Sequence, residues 1–351
     1  MADSTLGEIL SQPEVWRDVQ QIATEDRNKI QHYLDLSAHD DTLFVGCGTS
    51  YYLAQAAASV YALITSQRAR ATTASEVMLF PDTLLPESEK GTMPVLISRS
   101  GTTTEVLYAA NEIKHRRGQV FFGVSCRSDS DLIRESRFPL VVPSADEQSV
   151  VMTRSFTSML LLIQYLAAIR SGDDGLKEAL AQVPEHGERV LERTQEQAEK
   201  ILGSRRFTKF VFLGHGPFYG LACEAMLKMK EMSLSISEAY HSLEFRHGPM
   251  SIVDEDMLLT ILVSERSREE ETRLVKEMKA LGATTYVICE RADTELRSAS
   301  DHLLELGTEL PDEARLILYM LPLQLLAYTH AVAKGLDPDH PKNLTQVVTL
   351  S

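Results

Sequence analysis

A turn rich in hydroxyl groups follows a short apolar segment in the first third of the chain. The stretch reads LISRSGTTTEVL, in which an apolar start leads through hydroxyls into a helical pattern. A helix N-terminus carries unpaired N–H groups and a partial positive charge, so it binds anions. One hydroxyl would cap this helix, and the turn offers several, so we predict an anion site. Its hydroxyl donors and its backbone-exposing glycine are Ser98, Ser100, Gly101, Thr102 and Thr103.

A second turn of the same kind occurs earlier in the chain. The sequence GCGTS ends an apolar segment at Gly46, and Thr49 and Ser50 open the helix that follows. Two such helix starts in one sheet can converge on a single phosphate monoester. Taken alone, GCGTS fits an ordinary N-cap equally well, because serine and threonine are preferred at caps and turns.

A row of charged residues marks one face of a later helix. Glu224, Lys228 and Glu231 are spaced i, i+4 and i+7, so they share a face among residues that are otherwise apolar. The spacing fits an exposed ion pair or the lining of a polar cleft, and by itself slightly favours the first. The next segment, SEAYHSLEFRHGP, favours the cleft, since carboxylates beside imidazoles are what aldose–ketose proton transfer requires.

An internal repeat positions these residues. The segment DTLFVGCGTSYYLAQAAA resembles KFVFLGHGPFYGLACEAM, and the strand–turn–helix after the first also has a counterpart after the second. Gly46 aligns with Gly214, and Gly118 aligns with Gly282. At the turn equivalent to SRSGTTT the second copy reads SERSREEE, whose acidic residues would repel phosphate. We therefore expect only the first copy to have kept the anion site.

The alternation of strands and helices with short connections predicts an α/β fold. We expect two tandem units, each a parallel sheet with helices on both faces, and ligands beyond the carboxyl ends of the strands. The predicted segments are a helical arm (1–35), a first domain (36–172), a helical linker (173–200), a second domain (201–340) and a C-terminal active-site loop (341–351).

Composition narrows the class of partner. The 351-residue chain has a net charge of −15, which argues against nucleic acid or an anionic membrane as its partner. Four cysteines without a CxxC pair indicate free thiols in the reducing cytoplasm, and the N-terminus lacks the apolar run of a signal peptide. The apolar stretch from Leu316 to Ala333 contains Pro322, Gln324 and His330, so we predict a buried helix and not a membrane span.

These motifs together resemble the tandem sugar isomerase (SIS) domain family. The similarity is to the isomerase half of glucosamine-6-phosphate synthase and to amino-sugar-phosphate deaminase/isomerases. The motifs that carry it are GCGTS, SRSGTTTE, EQSVVMTRSFTSM, EAMLKMKEMSLSISEAYHSLEFRHGP and DPDHPKNLTQVVTL. The resemblance implies two SIS domains, a sugar-phosphate substrate, and no cofactor or metal.

The resemblance also implies roles for individual residues. Glu231 would be the base at C1 and C2, Lys228 and Glu224 its polar partners, and His247 the ring-opening group. In the family that histidine enters the neighbouring subunit's site, which implies a homodimer. The implied substrate-binding residues are Gly48, Thr49, Ser50, Ser98, Arg99, Ser100, Gly101, Thr102, Thr103, Glu147, Val150 and Gln346.

Two positions depart from the synthase pattern. Gln346 aligns with a lysine that takes part in ring opening, and an amide cannot form a Schiff base. Met152 stands where the synthase has a sugar-binding serine. Both changes are closer to the deaminase/isomerase branch. The sequence contains no glutaminase half, so we do not expect the chain to draw ammonia from glutamine by itself.

Three functions follow as hypotheses. The first is an aldose–ketose isomerase that converts glucosamine or galactosamine 6-phosphate to a ketohexose 6-phosphate and ammonia. The second is a deglycase that cleaves a fructosamine 6-phosphate with the same base. The third is a non-catalytic phosphosugar sensor, which the presence of the Glu224, Lys228, Glu231 and His247 set disfavours.

Overall fold

The chain forms two compact units, each built on its own parallel sheet. The computed structural model describes residues 3–37, 39–85, 91–116 and 118–346. The first-repeat unit comprises residues 11–184 with 345–346, and the second-repeat unit comprises residues 3–10 with 185–344. Each unit contains one five-stranded sheet, and every pair of neighbouring strands is parallel. The predicted α/β class with two parallel sheets is confirmed.

The sheet of the first-repeat unit has the order β2-β1-β3-β4-β5. Among the described residues its elements are α2 (Gln12–Glu25), α3 (Arg27–Leu36), β1 (Asp41–Gly46), α4 (Thr49–Thr65), β2 (Arg68–Thr73), α5 (Ala74–Leu79), α6 (Pro81–Leu84), β3 (Thr92–Ile97), α7 (Thr104–Asn111) with a π turn (Glu112–Arg116), β4 (Phe122–Ser125), α8 (Asp131–Glu135), β5 (Phe138–Val141), a 3₁₀ turn (Pro143–Ala145) and α9 (Arg154–Ser171).

The sheet of the second-repeat unit has the order β7-β6-β8-β9-β10. Its described elements are α1 (Asp3–Leu10), α10 (Asp174–Ser204, which the division between units crosses), β6 (Lys209–Gly214), α11 (Pro217–Ser233), β7 (Ser237–His241), 3₁₀ turns (Glu244–Arg246, Pro249–Ile252), β8 (Met257–Leu262), α12 (Arg268–Ala280), β9 (Thr284–Cys289), α13 (Thr294–Ala299), β10 (His302–Glu305), α14 (Asp312–Arg315), a 3₁₀ turn (Leu316–Tyr319) and α15 (Met320–Ala333).

The internal repeat is confirmed by matching backbone details. The two strand orders are the same when each strand is replaced by its counterpart. Helices α4 and α11 both have 17 residues, and their caps Gly48 and Gly216 have nearly identical dihedrals (φ 53°, ψ −125° and φ 53°, ψ −128°). A Cβ at Gly46 or Gly214 would collide with the backbone of the following helix, so only glycine permits these turns.

The central strands are buried on both faces because they are almost continuously apolar. All six residues of β1, β3 and β8 are buried. This is the pattern of a parallel sheet covered by helices on both sides. By contrast β2, whose sequence is RARATT, is largely accessible and forms the edge of its sheet.

The apolar C-terminal stretch belongs to the core of its unit. Asp312–Ala333 is long and apolar enough to span a membrane, but 72% of its most apolar window is buried inside the structure. The four cysteines are free, and three of them are buried while Cys47 is half-buried. Burial raises the pKa of Cys47 and of Cys223 to about 11, so neither is a thiolate at neutral pH. The five-segment division predicted from sequence stays a prediction.

Candidate functional site

The hydroxyl-rich turn lies between β3 and α7 in the first-repeat unit. Its hydroxyls form two local pairs. The Ser98 hydroxyl lies 3.0 Å from that of Thr103 and accepts the N–H of Gly101 at 3.0 Å. The Ser100 hydroxyl accepts the N–H of Thr102 at 3.2 Å and its hydroxyl at 3.1 Å. The hydroxyls therefore shape the turn as well as offering donors to an anion.

Gly101 is required by the backbone of this turn. Its φ of +63° is in the left-handed region, and a Cβ here would collide with the hydroxyl of Ser130. The sequence suggested that this glycine lets a ligand approach. In the structure the group that approaches it is Ser130 of the protein itself.

The GCGTS turn and the hydroxyl-rich turn end neighbouring strands. β1 and β3 pair in register, so the N-termini of α4 and α7 lie at the same edge of the sheet. The α4 cap, Gly48, has no side chain, and Thr49 and Ser50 of the first helical turn are buried. Two helix N-termini at the carboxyl edge of one parallel sheet form a favourable position for an anion.

Arg99 holds the neighbouring loop instead of facing solvent. Its buried guanidinium donates to the carbonyls of Ser149 (3.3 Å), Val150 (3.4 Å) and Gln346 (3.1 Å). It also lies 3.6 Å from the carboxylate of Glu147. This arrangement positions the loop beside the hydroxyl-rich turn, and the implied role of Arg99 in substrate binding stays a prediction.

Glu147 is the centre of the same network. One carboxylate oxygen accepts the N–H (2.6 Å) and the hydroxyl (2.7 Å) of Thr153, and the other accepts the hydroxyl of Ser155. The side-chain amide of Gln346 donates to the Glu147 carbonyl at 2.9 Å. Because its carboxylate is buried and held by these donors, Glu147 suits a structural role better than that of a mobile base.

The Glu-Lys-Glu row is buried on α11 of the second-repeat unit. Lys228 Nζ lies 3.3 Å from Glu224 and donates to Glu231. The side chains of Glu224 and Lys228 are 0% exposed, and that of Glu231 is 18% exposed. Burial would lower the pKa of Lys228, but the two carboxylates outweigh it and raise the pKa above its usual value. Lys228 is therefore a permanent cation that holds Glu231 beside solvent.

His247 lies on the loop that follows β7. The buried ring of Phe245 anchors this loop in the core, while the His247 side chain is exposed. Gly248 follows with φ +122°, a conformation that other residues rarely adopt. The His247 side chain thus faces outward, which is the position that a group entering a neighbouring subunit's site would need.

Three aromatic rings lie near this loop. His241 belongs to the SEAYHSLEFRHGP run, whereas Tyr219 and His215 were not singled out by sequence. His241 stacks on Tyr219 with ring centroids 3.7 Å apart, and His215 lies 6.1 Å from His241. Burial lowers the pKa of His241, and burial together with His241 lowers that of His215, so both are neutral near pH 7. The repeat held the signal, because GHGPFY is the counterpart of GCGTSY and ends the equivalent strand.

A cavity of about 660 Å³ opens at the opposite edge of the second sheet. Arg205, Arg206 and Lys334 line it, where α10, α11 and α15 end. Lys334 donates to the carbonyl of Ser233 at 2.6 Å and so caps α11. Helix C-termini attract cations, which accounts for these side chains, and the cavity is not part of the candidate site.

Comparison with known proteins decides the family. The sequence profile described as SIS domain matches residues 35–169 and 206–334. The chain belongs to the SIS domain family. The two matched segments correspond to the two sheets, so each unit carries one SIS domain.

Individual SIS relatives cover nearly the whole chain. A glutamine–fructose-6-phosphate aminotransferase (isomerizing) from Methanothermobacter thermautotrophicus is 30% identical over 88% of this chain and 51% of its own length. The chain spans about half the length of the curated relatives it matches. A glucosamine-6-phosphate deaminase structure from Thermotoga maritima is 31% identical, with a TM-score of 0.73, over 95% of this chain and 99% of that one. The tagatose-6-phosphate ketose/aldose isomerase from Escherichia coli shares the fold, with 20% identity and a TM-score of 0.85, over 97% of this chain and 96% of that one.

The second SIS domain places a carboxylate where the first has its hydroxyl-rich turn. Glu271 in the first turns of α12 is 0% exposed and accepts the N–H of Ser264 (3.3 Å) and the hydroxyl of Ser267 (2.7 Å). Its other oxygen accepts the hydroxyl of Ser242 at 2.8 Å. In this SIS domain the carboxyl group of Glu271 thus occupies the turn before α12.

We expect Glu271 to make stability fall as the pH rises. Burial raises its pKa from 4.5 to about 7, and the hydrogen bonds from the three serines offset this only in part. At pH values between these two pKa values the folded state binds more protons than the unfolded state. The free energy of unfolding therefore decreases as the pH rises, by on the order of 3 kcal/mol in total. Glu271→Gln cannot titrate. Its melting temperature should therefore rise relative to wild type from about pH 5 to about pH 8, and a constant difference would contradict the assignment.

Proposed function

We propose that the chain is a phosphosugar isomerase that converts a 2-amino-hexose 6-phosphate to a ketohexose 6-phosphate and ammonia. The observation that carries this proposal is the buried row on α11, in which Lys228 holds a solvent-accessible Glu231. A buried cation that holds a carboxylate at the edge of solvent places that carboxylate where it can act as a base toward a bound substrate. The names of the aminotransferase and deaminase relatives support the choice of an amino sugar.

In the proposed reaction the phosphate binds at the N-termini of α4 and α7. Ser50, Ser98, Ser100 and Thr103 are the donors that we assign to it. His247 assists opening of the sugar ring. Glu231 then removes the proton from C2 of the open-chain amino aldose while the aldehyde oxygen takes up a proton, which gives an enolamine. The proton returns to C1 as the nitrogen loses one, which leaves an imine at C2. Water adds to this imine and ammonia leaves, which yields the ketose phosphate.

Gln346 narrows the choice of ring-opening group. Its amide donates to the Glu147 carbonyl, and its own carbonyl accepts from Arg99, so the residue ties the C-terminal segment to the Glu147 loop. An amide cannot form an imine with a sugar. We therefore assign ring opening to His247. Gln346 has only a part in shaping the loop that includes Val150.

A substrate panel tests the proposal. Glucosamine, galactosamine, fructose, tagatose and fructoselysine phosphates would be incubated with the protein while ammonia and ketose phosphate are measured. We expect ammonia from one of the two aldosamine phosphates. Release of lysine from fructoselysine phosphate would establish the deglycase instead, and binding without turnover of any compound would establish the sensor.

We further propose a cytoplasmic homodimer in which His247 completes the partner's site, as its exposed position would allow. Glu231→Gln and His247→Ala proteins should each be inactive alone. After subunit exchange, mixed dimers contain one site with both groups, so the mixture should regain up to about a quarter of wild-type activity. Exchange would be verified with two differently tagged proteins. Activity that stays at the level of the separate variants would refute the shared site.

A further inference from the structure

Three hydrogen-bonded contacts between described residues, in addition to the buried ring of Phe245, fasten the loop that carries His247 to the body of its own unit. The Ser242 hydroxyl donates to Glu271 at 2.8 Å inside the core. The Leu243 N–H donates to Nε2 of His215 at 3.3 Å. At the surface, Arg246 forms two hydrogen bonds with the Glu277 carboxylate, at 2.7 and 3.0 Å.

The contact between Ser242 and Glu271 is the most deeply buried of these three hydrogen-bonded anchors. Both Ser242 and Glu271 are 0% exposed, so their hydrogen bond has no competition from water. Exposed ion pairs such as Arg246 with Glu277 contribute little on average. Glu271 is itself held by Ser264 and Ser267, and it therefore connects the rigid start of α12 to the first residue of the loop.

The equivalent turn in the first repeat supplies hydroxyls, and the position that corresponds to Glu271 is apolar. Leu107, which aligns with Glu271 in the repeat, packs against the apolar core. The same helix start thus serves two purposes. In the first repeat it presents hydroxyls at the edge of the sheet, and in the second it anchors a loop.

We propose that Glu271 is a positioning residue that orients His247 through Ser242. Glu271 does not touch the reacting atoms. It fixes where the loop leaves β7 and hence the direction in which His247 projects. The inference rests on the proposed function only in so far as His247 takes part in the reaction.

The activity test compares two serines bound to the same carboxylate. Ser242→Ala breaks the contact with the loop, whereas Ser267→Ala removes a contact of Glu271 that does not involve the loop. We expect Ser242→Ala to lower kcat about 10- to 100-fold with KM little changed, because a displacement of about 1 Å can cost that much. Ser267→Ala should stay close to wild type. Equal losses in both variants would overturn the proposal.

Glu271 itself is tested by two substitutions and by their combination with Ser242→Ala. Glu271→Gln keeps its size, and its amide can accept from the α12 start and donate to Ser242, so most activity should remain. In kcat, Glu271→Ala should match Ser242→Ala, and the double variant should be no worse than either, since both variants lose the contact between Glu271 and Ser242 that holds the loop. Additive losses would contradict the proposal. Should Glu271→Ala fail to fold, the serine pair and Glu271→Gln still decide.

A spectroscopic readout separates this inference from the proposed function. In protein labelled with ¹⁵N-histidine, His247 would be assigned with a His247→Gln variant. Its signal should shift or broaden in Ser242→Ala and remain unchanged in Ser267→Ala. An unchanged signal in Ser242→Ala would overturn the positioning role. A changed signal with full activity would support positioning and would instead contradict the catalytic role of His247.

Discussion

Glu231→Gln should lower kcat by about 10²–10⁴-fold with KM little changed, which is the usual contribution of a positioned general base. The amide keeps the size of the side chain and can still accept a hydrogen bond from Lys228, but it cannot accept a proton. The loss should therefore fall on the chemical step. Steady-state kinetics on the substrate identified by the panel would measure it.

A second readout follows the proton itself. In deuterated water the wild-type protein should exchange the hydrogen at C2 of the substrate, and Glu231→Gln should not, as measured by NMR of the recovered substrate. Glu224→Gln is the matched comparison, because it removes the other carboxylate beside Lys228. The Glu224 side chain, unlike that of Glu231, has no solvent exposure. Its effect on exchange should be smaller.

One control variant and two possible outcomes decide how this result is interpreted. Glu199→Gln, on the exposed surface of α10, should behave as wild type. An equal loss of kcat in Glu224→Gln and Glu231→Gln would mean that activity depends on the ion pairs of Lys228. It would not support Glu231 as the base. Full turnover by Glu231→Gln would refute the mechanism.

Ser100→Asp should weaken binding of the phosphosugar by about 10²–10³-fold. A carboxylate about 4 Å from a phosphate costs about 4 kcal/mol at the effective dielectric of a protein surface, even before the second phosphate charge is counted. The fold should survive, because an aspartate can accept the hydrogen bonds that Thr102 donates to Ser100. Isothermal titration with the substrate or an unreactive analogue would measure the change.

Ser100→Asn is the control for charge. It has nearly the same shape as the aspartate and the same capacity to accept from Thr102, but no negative charge. We expect only a small loss of affinity for the phosphosugar in Ser100→Asn. Raising the salt concentration should reduce the difference in affinity between Ser100→Asp and Ser100→Asn. Equal affinity of Ser100→Asp and wild type would rule out this turn as the phosphate site.

Much of the architecture could be predicted from residue types and spacing. The apolar segments of β1, β3, β6 and β8 and the glycines that end two of them predicted two repeats with equivalent turns, as observed. The i, i+4, i+7 spacing placed Glu224, Lys228 and Glu231 on one face, and the ion pairs confirm that face. Both results depend on local geometry, which a short stretch of sequence specifies through sterics and periodicity.

The surroundings of these residues could not be read in the same way. Spacing shows which side chains share a face but not what covers that face, so it favoured an exposed ion pair where the structure buries Glu224 and Lys228 completely. The direction of Arg99 is another example, because its acceptors at Ser149 and Gln346 are far away along the chain.

By itself the sequence determined the fold class, the repeat, and the two turns at which α4 and α7 begin at the carboxyl edge of the first sheet. These features follow from hydrophobic periodicity, glycine sterics and capping, each of which acts over a few residues. Only the tertiary structure decided that Glu231 alone of its row meets solvent, and that Glu271 is turned inward onto Ser242. Such facts depend on contacts between residues distant in the chain, and the burial that shifts a pKa or isolates a hydrogen bond exists only once those contacts form.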